Sequence, residues 1–312
     1  MMCGLAMLFT INRVYRFIVL AAFCTCVSGC SLTSLMFYPF KVMPMTPDEL
    51  GMSYEEVHHT SADGTQLVSW WLPAQSKQGE RIPAKGSVLY LHGNAQNISY
   101  HQFNVNWLPA QGYNVFLLGY RQFGQSQGIA KLPNVFLDVH SGLDWVLQRT
   151  TNEPTYVLGQ SMGASLSVFA LASYNQSNRI SGVALDAAFD SYPGIAAHAM
   201  SNNWFTWPLI LPAYLVTSEY DPEDWIAKWP EPTALLMMHS PDDKVIPYEK
   251  GLNLFNHANK PKHWLDNSGP HIATFRDPAM RQALLDFFSR YGSQGQALYD
   301  QSQADHSMIY GF

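Results

Sequence analysis

The chain has 312 residues, with 18 Lys and Arg against 24 Asp and Glu, and its 47% of hydrophobic residues predicts a sizeable buried core. The basic residues form no dense cluster, which argues against nucleic acid as a partner. Only 13% of the residues are charged, which favours a protein that acts at a membrane or on an apolar substrate. All four cysteines lie within the first thirty residues, so neither a disulfide framework nor a metal site with cysteine ligands is expected.

The N-terminus is typical of a targeting segment. Arg13 and Arg16 precede an apolar stretch over residues 17–27, and the sequence Val-Ser-Gly then leads to Cys30. The apolar stretch is too short to span a bilayer, which needs about 20 residues.

This stretch resembles a bacterial lipoprotein signal peptide with its lipobox. The resemblance implies removal of residues 1–29, acylation of Cys30 and attachment to a membrane of the cell envelope through that lipid anchor. Ser31 implies sorting to the outer membrane in a Gram-negative cell, and an ordinary secretory signal with a chance cysteine is the alternative. Residues 30–53, which contain several prolines, are interpreted as a tether that leads into the fold.

From residue 54 onwards, short apolar runs alternate with segments of helical length. The pattern predicts a hairpin over 57–60 and 66–72, then strands at 87–91, 114–118, 156–158, 182–185, 233–238 and 263–265. Helices are predicted over 97–110, 134–149, 162–175, 247–258 and 278–290. Such alternation indicates the α/β class, with a mostly parallel sheet covered by helices on both faces.

One stretch breaks this rhythm. Residues 191–229 are rich in Trp, Pro, Tyr and Leu and fall between two core strands, where a cap insertion would lie. Its large apolar side chains are predicted either to line a pocket or to pack a cap helix on the core, namely Trp204, Phe205, Trp207 and Leu211. Residues 292–312 contain many Gln and Ser residues and are predicted to form a flexible tail.

The strongest local motif has Ser161 at its centre, with Gly159 two places before it and Gly163 two places after. It follows the strand-like run 155–158 and precedes the helix-forming run 164–172. A serine on a sharp turn from strand to helix needs these glycines, because side chains there would collide with neighbouring backbone. The turn also places the hydroxyl at a helix N-terminus, where amide groups favour negative charge.

A second motif follows the predicted strand 87–91. His92, Gly93 and Asn94 lie where a hydrolase needs a backbone N–H directed at the substrate carbonyl oxygen. Asn94 is the candidate for one such donor, and Met162, directly after the serine, for the other. His92 precedes the serine and ends a strand, so we assign it a structural role in the loop.

The acid and the base of such a site follow the serine in the order carboxylate, then histidine. The loop after strand 233–238 contains Asp242 and Asp243, and Asp243 is the preferred acid, although Pro-Asp-Asp is also good turn chemistry. Among 11 histidines, His271 lies in a loop before the last predicted helix, where a mobile base belongs. A histidine can accept the serine proton during attack and return it to the leaving group.

Together these motifs resemble the α/β-hydrolase superfamily over about residues 54–291, and most closely the bacterial serine hydrolases of its esterase or serine aminopeptidase-like branch. The segments that carry the likeness are 92–97, 119–126, 159–163, 239–247 and 269–271. The resemblance implies an α/β-hydrolase fold with an eight-stranded sheet and a small cap insertion, and it implies that Tyr120 helps to shape the site floor. Ser240 and Pro270 depart from the glycines usual in the family, which affects loop geometry rather than chemical groups.

The leading hypothesis is a serine hydrolase that cleaves a carboxylic ester or related acyl bond through an acyl-enzyme on Ser161. Its expected partners are a small-molecule or lipid-like acyl substrate and the membrane, and neither a cofactor nor a metal is expected. One alternative is a serine aminopeptidase-like peptidase, for which Asp190 or Glu219 would hold the substrate ammonium. The other is a non-catalytic binding protein of the cell envelope on the same fold.

Overall fold

The computed structural model describes residues 32–150, 153–202, 204–230 and 233–292. The predicted signal peptide, Cys30 and residues 293–312 of the predicted tail lie outside these ranges. Within them, no helix has both the length and the apolar character needed to cross a bilayer.

The described residues form one eight-stranded sheet, in the order β1-β2-β4-β3-β5-β6-β7-β8. Strand β2 runs antiparallel to β1 and β4, and all other neighbouring strands are parallel. The strands are β1 (Glu55–Thr60), β2 (Gln66–Leu72), β3 (Gly86–Leu91), β4 (Tyr113–Leu117), β5 (Thr155–Gln160), β6 (Ile180–Asp186), β7 (Ala234–His239) and β8 (Lys262–Asp266). This confirms the predicted mostly parallel, eight-stranded sheet.

The central strands are buried on both faces. Along β3, Leu89 and Leu91 pack into one apolar cluster, whereas Val88 and Tyr90 pack into a second cluster on the opposite face. Full burial of one such side chain contributes about 1.5–3 kcal/mol. Apolar runs without polar alternation therefore produce a sheet that needs helices on both sides.

Four of the five predicted helices agree with the structure, but the segment 97–110 does not. The helices are α1 (Ile98–His101), α2 (Asn134–Arg149), α3 (Met162–Ser173), α4 (Tyr192–Ser201), α5 (Ile210–Ala213), α6 (Pro222–Trp225), α7 (Tyr248–His257) and α8 over 278–292. The long helix predicted over 97–110 is wrong, since α1 ends after four residues and short 3-10 turns follow at Gln102–Asn104 and Pro109–Gln111. Pro109 has no N–H for a helical ladder, and the Gln102 side-chain amide donates to the Met45 carbonyl in the N-terminal segment.

Residues 32–45, the N-terminal segment, belong to the stretch predicted as a tether and are packed onto the domain. The segment begins with a 3-10 helix (Leu32–Met36), and the Phe37 side chain is buried. The Asn97 amide donates to the carbonyls of Phe40 and Val42, both at 2.8 Å. The loop after β3 thus binds the N-terminal segment beside the site described below.

Candidate active site

Ser161 lies between the end of β5 and the start of α3, with φ 53° and ψ −121°. Its N–H donates to the Asp186 carbonyl at 2.8 Å, which fixes the turn against β6. A Cβ on Gly159 would lie 2.6 Å from Ala164 Cα, and one on Gly163 would lie 2.1 Å from the Leu91 carbonyl oxygen. Only glycine fits at these two positions, and the turn presents the serine hydroxyl above the sheet.

The structure brings the three residues predicted as nucleophile, base and acid into one hydrogen-bonded chain. His271 Nε2 lies 2.9 Å from Ser161 Oγ, and His271 Nδ1 lies 2.7 Å from Asp243 Oδ2. Because a carboxylate can only accept, Nδ1 carries the proton and Nε2 is free to accept from the serine hydroxyl. This is the arrangement in which an imidazole can remove a hydroxyl proton.

The Asp243 carboxylate is buried but strongly hydrogen-bonded. Its Oδ1 accepts from the N–H groups of Val245 and Ile246, at 2.8 and 3.0 Å. Burial by itself would raise the pKa of Asp243, but the hydrogen bond and charge of His271 and these two N–H donors bring that pKa below its ordinary value. Asp243 therefore stays ionised at neutral pH and can stabilise a positively charged His271.

The two predicted oxyanion donors lie at the same cavity as Ser161. Asn94 and Met162 both line it. The Asn94 side chain is engaged elsewhere, since Nδ2 donates to the Met36 carbonyl at 2.6 Å and Oδ1 accepts from the Tyr38 N–H at 3.0 Å. A donor from Asn94 would therefore be its backbone N–H, as the sequence motif predicts.

Ser161 opens into a cavity of about 500 Å³. Its lining is mostly apolar, and Lys244 is the one charged residue among the described residues that line it. The apolar lining includes Met36, Phe189, Ile195, Met200, Ala213 and Val216. Such a lining suits an acyl chain better than a charged peptide.

The sequence left open whether the large apolar side chains of residues 191–229 line the pocket or pack a cap helix on the core. The Trp204 side chain lies outside the part of the chain that the structure describes, and Phe205, Trp207 and Leu211 do not line the pocket. These side chains are 60–79% exposed and lie outside the cavity lining. The residues that do line it are spaced three and four apart, at Leu209, Pro212, Ala213 and Val216. That spacing turns one face of the segment towards the cavity and leaves Leu211 on the opposite face.

Comparison with known proteins decides the family. Residues 86–216 match the family described as alpha/beta hydrolase fold. The uncharacterized protein YfhR of Escherichia coli O157:H7 is 31% identical over 283 residues, which covers 89% of this chain and 94% of that protein. The chain belongs to the α/β-hydrolase fold family.

More distant members of the α/β-hydrolase family agree with this assignment. Lysophosphatidylserine lipase ABHD12 of Xenopus tropicalis is 24% identical over 297 residues, covering 84% of this chain and 76% of that protein. Among solved structures, the Pyrococcus furiosus esterase Pf2001 superimposes with a TM-score of 0.67 at 19% identity, over 82% of this chain and 98% of that one. At 19% identity, this structural similarity shows that the two proteins share a fold.

The residues predicted as structural lie directly beneath the site of this α/β-hydrolase. His92 is buried, its Nδ1–H donates to the Gly93 carbonyl at 2.7 Å, and its ring lies 4.6 Å from that of Tyr120. Burial holds the pKa of His92 well below its ordinary value, so the ring is neutral. A Cβ on Gly93 would lie 3.3 Å from Ser161 Cβ, so glycine keeps the approach to the serine open.

A buried polar network that sequence reasoning missed joins the serine turn to the histidine loop. Asp186, at the end of β6, accepts from the Gln160 amide at 2.7 Å and from the Thr274 hydroxyl at 2.6 Å. Burial raises the pKa of Asp186 to about 6. Gln160 precedes Ser161 and Thr274 follows His271 by three residues, so Asp186 connects the serine turn to the histidine loop. In the sequence, only the position of Asp186 at the end of a strand indicates such a role.

The carboxylates suggested for an aminopeptidase are not at the cavity. Asp190 forms an ion pair with Lys250 at 3.0 Å and accepts from the Asn253 amide at 2.9 Å. Neither Asp190 nor Glu219 belongs to the cavity lining, and the described residues that form it include no Asp or Glu. In the same described part of the chain, no group of three or more His, Cys, Asp or Glu side chains is arranged to hold a metal ion.

Proposed function

We propose that the chain is a serine hydrolase that cleaves a carboxylic ester or a related acyl bond through an acyl-enzyme on Ser161. The observation that carries this proposal is the hydrogen-bonded chain from Ser161 through His271 to Asp243, which opens into an apolar cavity. A nucleophile, a base and an orienting acid in this geometry are what acyl transfer requires.

The proposed reaction has two halves. As Ser161 Oγ attacks the carbonyl carbon, its proton passes to His271 Nε2, and Asp243 stabilises the resulting imidazolium. The backbone N–H groups of Asn94 and Met162 would stabilise the negative oxygen of the tetrahedral intermediate. His271 then protonates the leaving alcohol, and a water molecule activated by the same ring releases the acyl group from Ser161.

The cavity supports esters with an apolar acyl group over peptides. Its lining is apolar and contains no carboxylate among the described residues, so an aminopeptidase would lack a partner for its substrate ammonium. Two relatives carry names in keeping with this, one an esterase and one a lysophosphatidylserine lipase. Attachment to the cell envelope through an acylated Cys30 forms part of the same proposal and rests on the sequence of residues 13–30.

The test is hydrolysis of p-nitrophenyl esters of increasing chain length by the full chain. We expect turnover by the wild-type protein and a loss of at least about 10³-fold in Ser161→Ala. Ser173→Ala is the matched control, because Ser173 is exposed at the other end of the same helix, and it should retain the wild-type rate.

Two outcomes would contradict the proposal. Equal rates for the wild-type protein and Ser161→Ala would remove the assigned nucleophile. A folded wild-type protein that turns over no ester, thioester or peptide would instead favour the non-catalytic binding protein.

A further inference from the structure

Large apolar side chains surround the mouth of the cavity and face solvent. We name this surface the apolar rim. It consists of four exposed residues that line the mouth, Leu35, Tyr38, Leu209 and Val245, and of the exposed sequence neighbours of Leu209, namely Trp207, Leu211 and Leu215; all seven are 50–79% exposed. Single exposed apolar residues are ordinary on protein surfaces, whereas a contiguous group marks an interaction site.

The rim is contiguous because three separate parts of the chain meet at the cavity. Leu35 and Tyr38 from the N-terminal segment, Leu209 from the stretch before α5, and Val245 from the loop after β7 are all exposed, and all four also line the cavity. Residues that are exposed and line the cavity must lie at its opening. Leu211 and Leu215 continue the surface outwards from Leu209, on the face turned away from the cavity.

The two longer segments of the rim carry no formal charge. Neither residues 32–40 nor residues 191–218 contain an Asp, Glu, Lys or Arg. A surface that faces water or a charged protein partner would be interrupted by such residues, whereas a surface in contact with lipid excludes them. Tyr38 and Trp207 add the side chains that favour the boundary between headgroups and acyl chains.

The position of Cys30 points to the same occupant. Cys30 precedes Leu35 by only five residues, a length of chain that spans at most about 18 Å. A lipid attached there would hold the rim close to the bilayer. A second copy of the chain seated on the rim would instead close the mouth through which substrate reaches Ser161.

We propose that the apolar rim rests on the surface of a lipid bilayer, so that the cavity mouth opens towards the lipid. Lys244, at the edge of the cavity, is then placed at the level of the phosphate groups. This orientation goes beyond the proposed hydrolysis, because it states which face of the molecule contacts the membrane and from which side an apolar substrate enters.

The test is tryptophan quenching in the full chain on phosphatidylcholine vesicles whose acyl chains carry bromine. Residues 1–69 contain no tryptophan, so the N-terminal anchor contributes no signal. We expect quenching relative to unbrominated vesicles, and a fall of at least half in Trp207→Phe. Leu211→Glu/Leu215→Glu should show a similar fall, because two buried carboxylates are costly in lipid.

The matched control is Ile82→Glu/Leu252→Glu, which adds the same two charges at exposed apolar positions outside the cavity lining and should keep the wild-type quenching. Leu211→Ser/Leu215→Ser, which adds no charge, should weaken quenching to a smaller extent than Leu211→Glu/Leu215→Glu.

Two outcomes would overturn the proposal. One is quenching at the wild-type level in Leu211→Glu/Leu215→Glu, and the other is that substitutions in the apolar rim only separate a dimer. Quenching needs no turnover, so an absence of quenching would not contradict the proposed ester hydrolysis. In the same way, a finding that Ser161 is not the nucleophile would not contradict the proposed membrane contact.

Discussion

At the scale of single residues, the environment separates two adjacent carboxylates of the same chemistry. Asp242 is exposed in the loop after β7, whereas the Asp243 carboxylate is buried against His271 and two backbone N–H groups. The sequence favoured Asp243, but only the positions of these donors distinguish an orienting acid from a solvated turn residue.

This difference predicts the behaviour of two amide variants. Asp243→Asn should reduce kcat for a short-chain ester by about 10³–10⁴-fold, because an amide no longer holds the His271 proton on Nδ1. Asp242→Asn, the matched control, should stay within about 2-fold of the wild-type protein. Steady-state kinetics on both variants checks this, and a larger loss in Asp242→Asn than in Asp243→Asn would assign the acid to the wrong residue.

At the scale of elements, the loop after β3 and the short helix α1 that follows it contain two buried imidazoles, His92 and His101. The rings of His92 and His101 stack with centroids 5.0 Å apart, and His101 Nε2 donates to the Ala95 carbonyl at 3.2 Å. Burial lowers the pKa of His101 to about 4, from an ordinary value of 6.5. The element that presents Asn94 is therefore built around uncharged histidines.

Acid should destabilise this element in a defined pH range. Between pH 6.5 and about 4 the unfolded chain binds the His101 proton and the folded chain does not, so the free energy of unfolding falls as the pH falls. When the pH is lowered from 7 to 5, the free energy of unfolding should fall by about 1–2 kcal/mol less in His101→Gln than in the wild-type protein. Urea unfolding at the two pH values measures this.

The control for this experiment is His58→Gln, the same substitution at a side chain that is 68% exposed. An unchanged pH dependence in His101→Gln would contradict the assignment of a neutral, buried His101.

The helical stretch between β6 and β7 sets the size of the cavity. Ala196 in α4 lines the cavity, and a larger side chain there would occupy space that an acyl chain needs. Ala196→Phe should therefore reduce kcat/KM for esters of long acyl chains by at least about 10-fold while leaving short-chain esters within about 2-fold. Ala227→Phe, at an exposed position outside the cavity, should leave the chain-length profile unchanged, and an unaltered profile in Ala196→Phe would place the acyl chain elsewhere.

At the scale of the whole molecule, local signals predicted the sheet and the convergence of Ser161, Asp243 and His271. Apolar runs and glycine spacing are encoded within a few residues of each strand or turn, and the chain order of the three side chains follows from the fold. These features were therefore open to prediction from sequence.

Features that depend on contacts between distant segments escaped the sequence. The N-terminal segment packs beside the site through the amides of Asn94 and Asn97, and Asp186 accepts from Thr274, which lies 88 residues further along the chain. Trp207 is exposed on a 3-10 helix over residues 204–209, a conformation that no apolar periodicity reveals. In each case the deciding partner is remote in sequence or the backbone is irregular.

The most direct measurement of the central claim is the site of covalent modification by a fluorophosphonate, read by mass spectrometry of the digested full chain. The account predicts a single phosphonyl adduct on the peptide that contains Ser161, lost in Ser161→Ala and strongly reduced in His271→Ala. An adduct on another serine, or none on the folded wild-type protein, would contradict it.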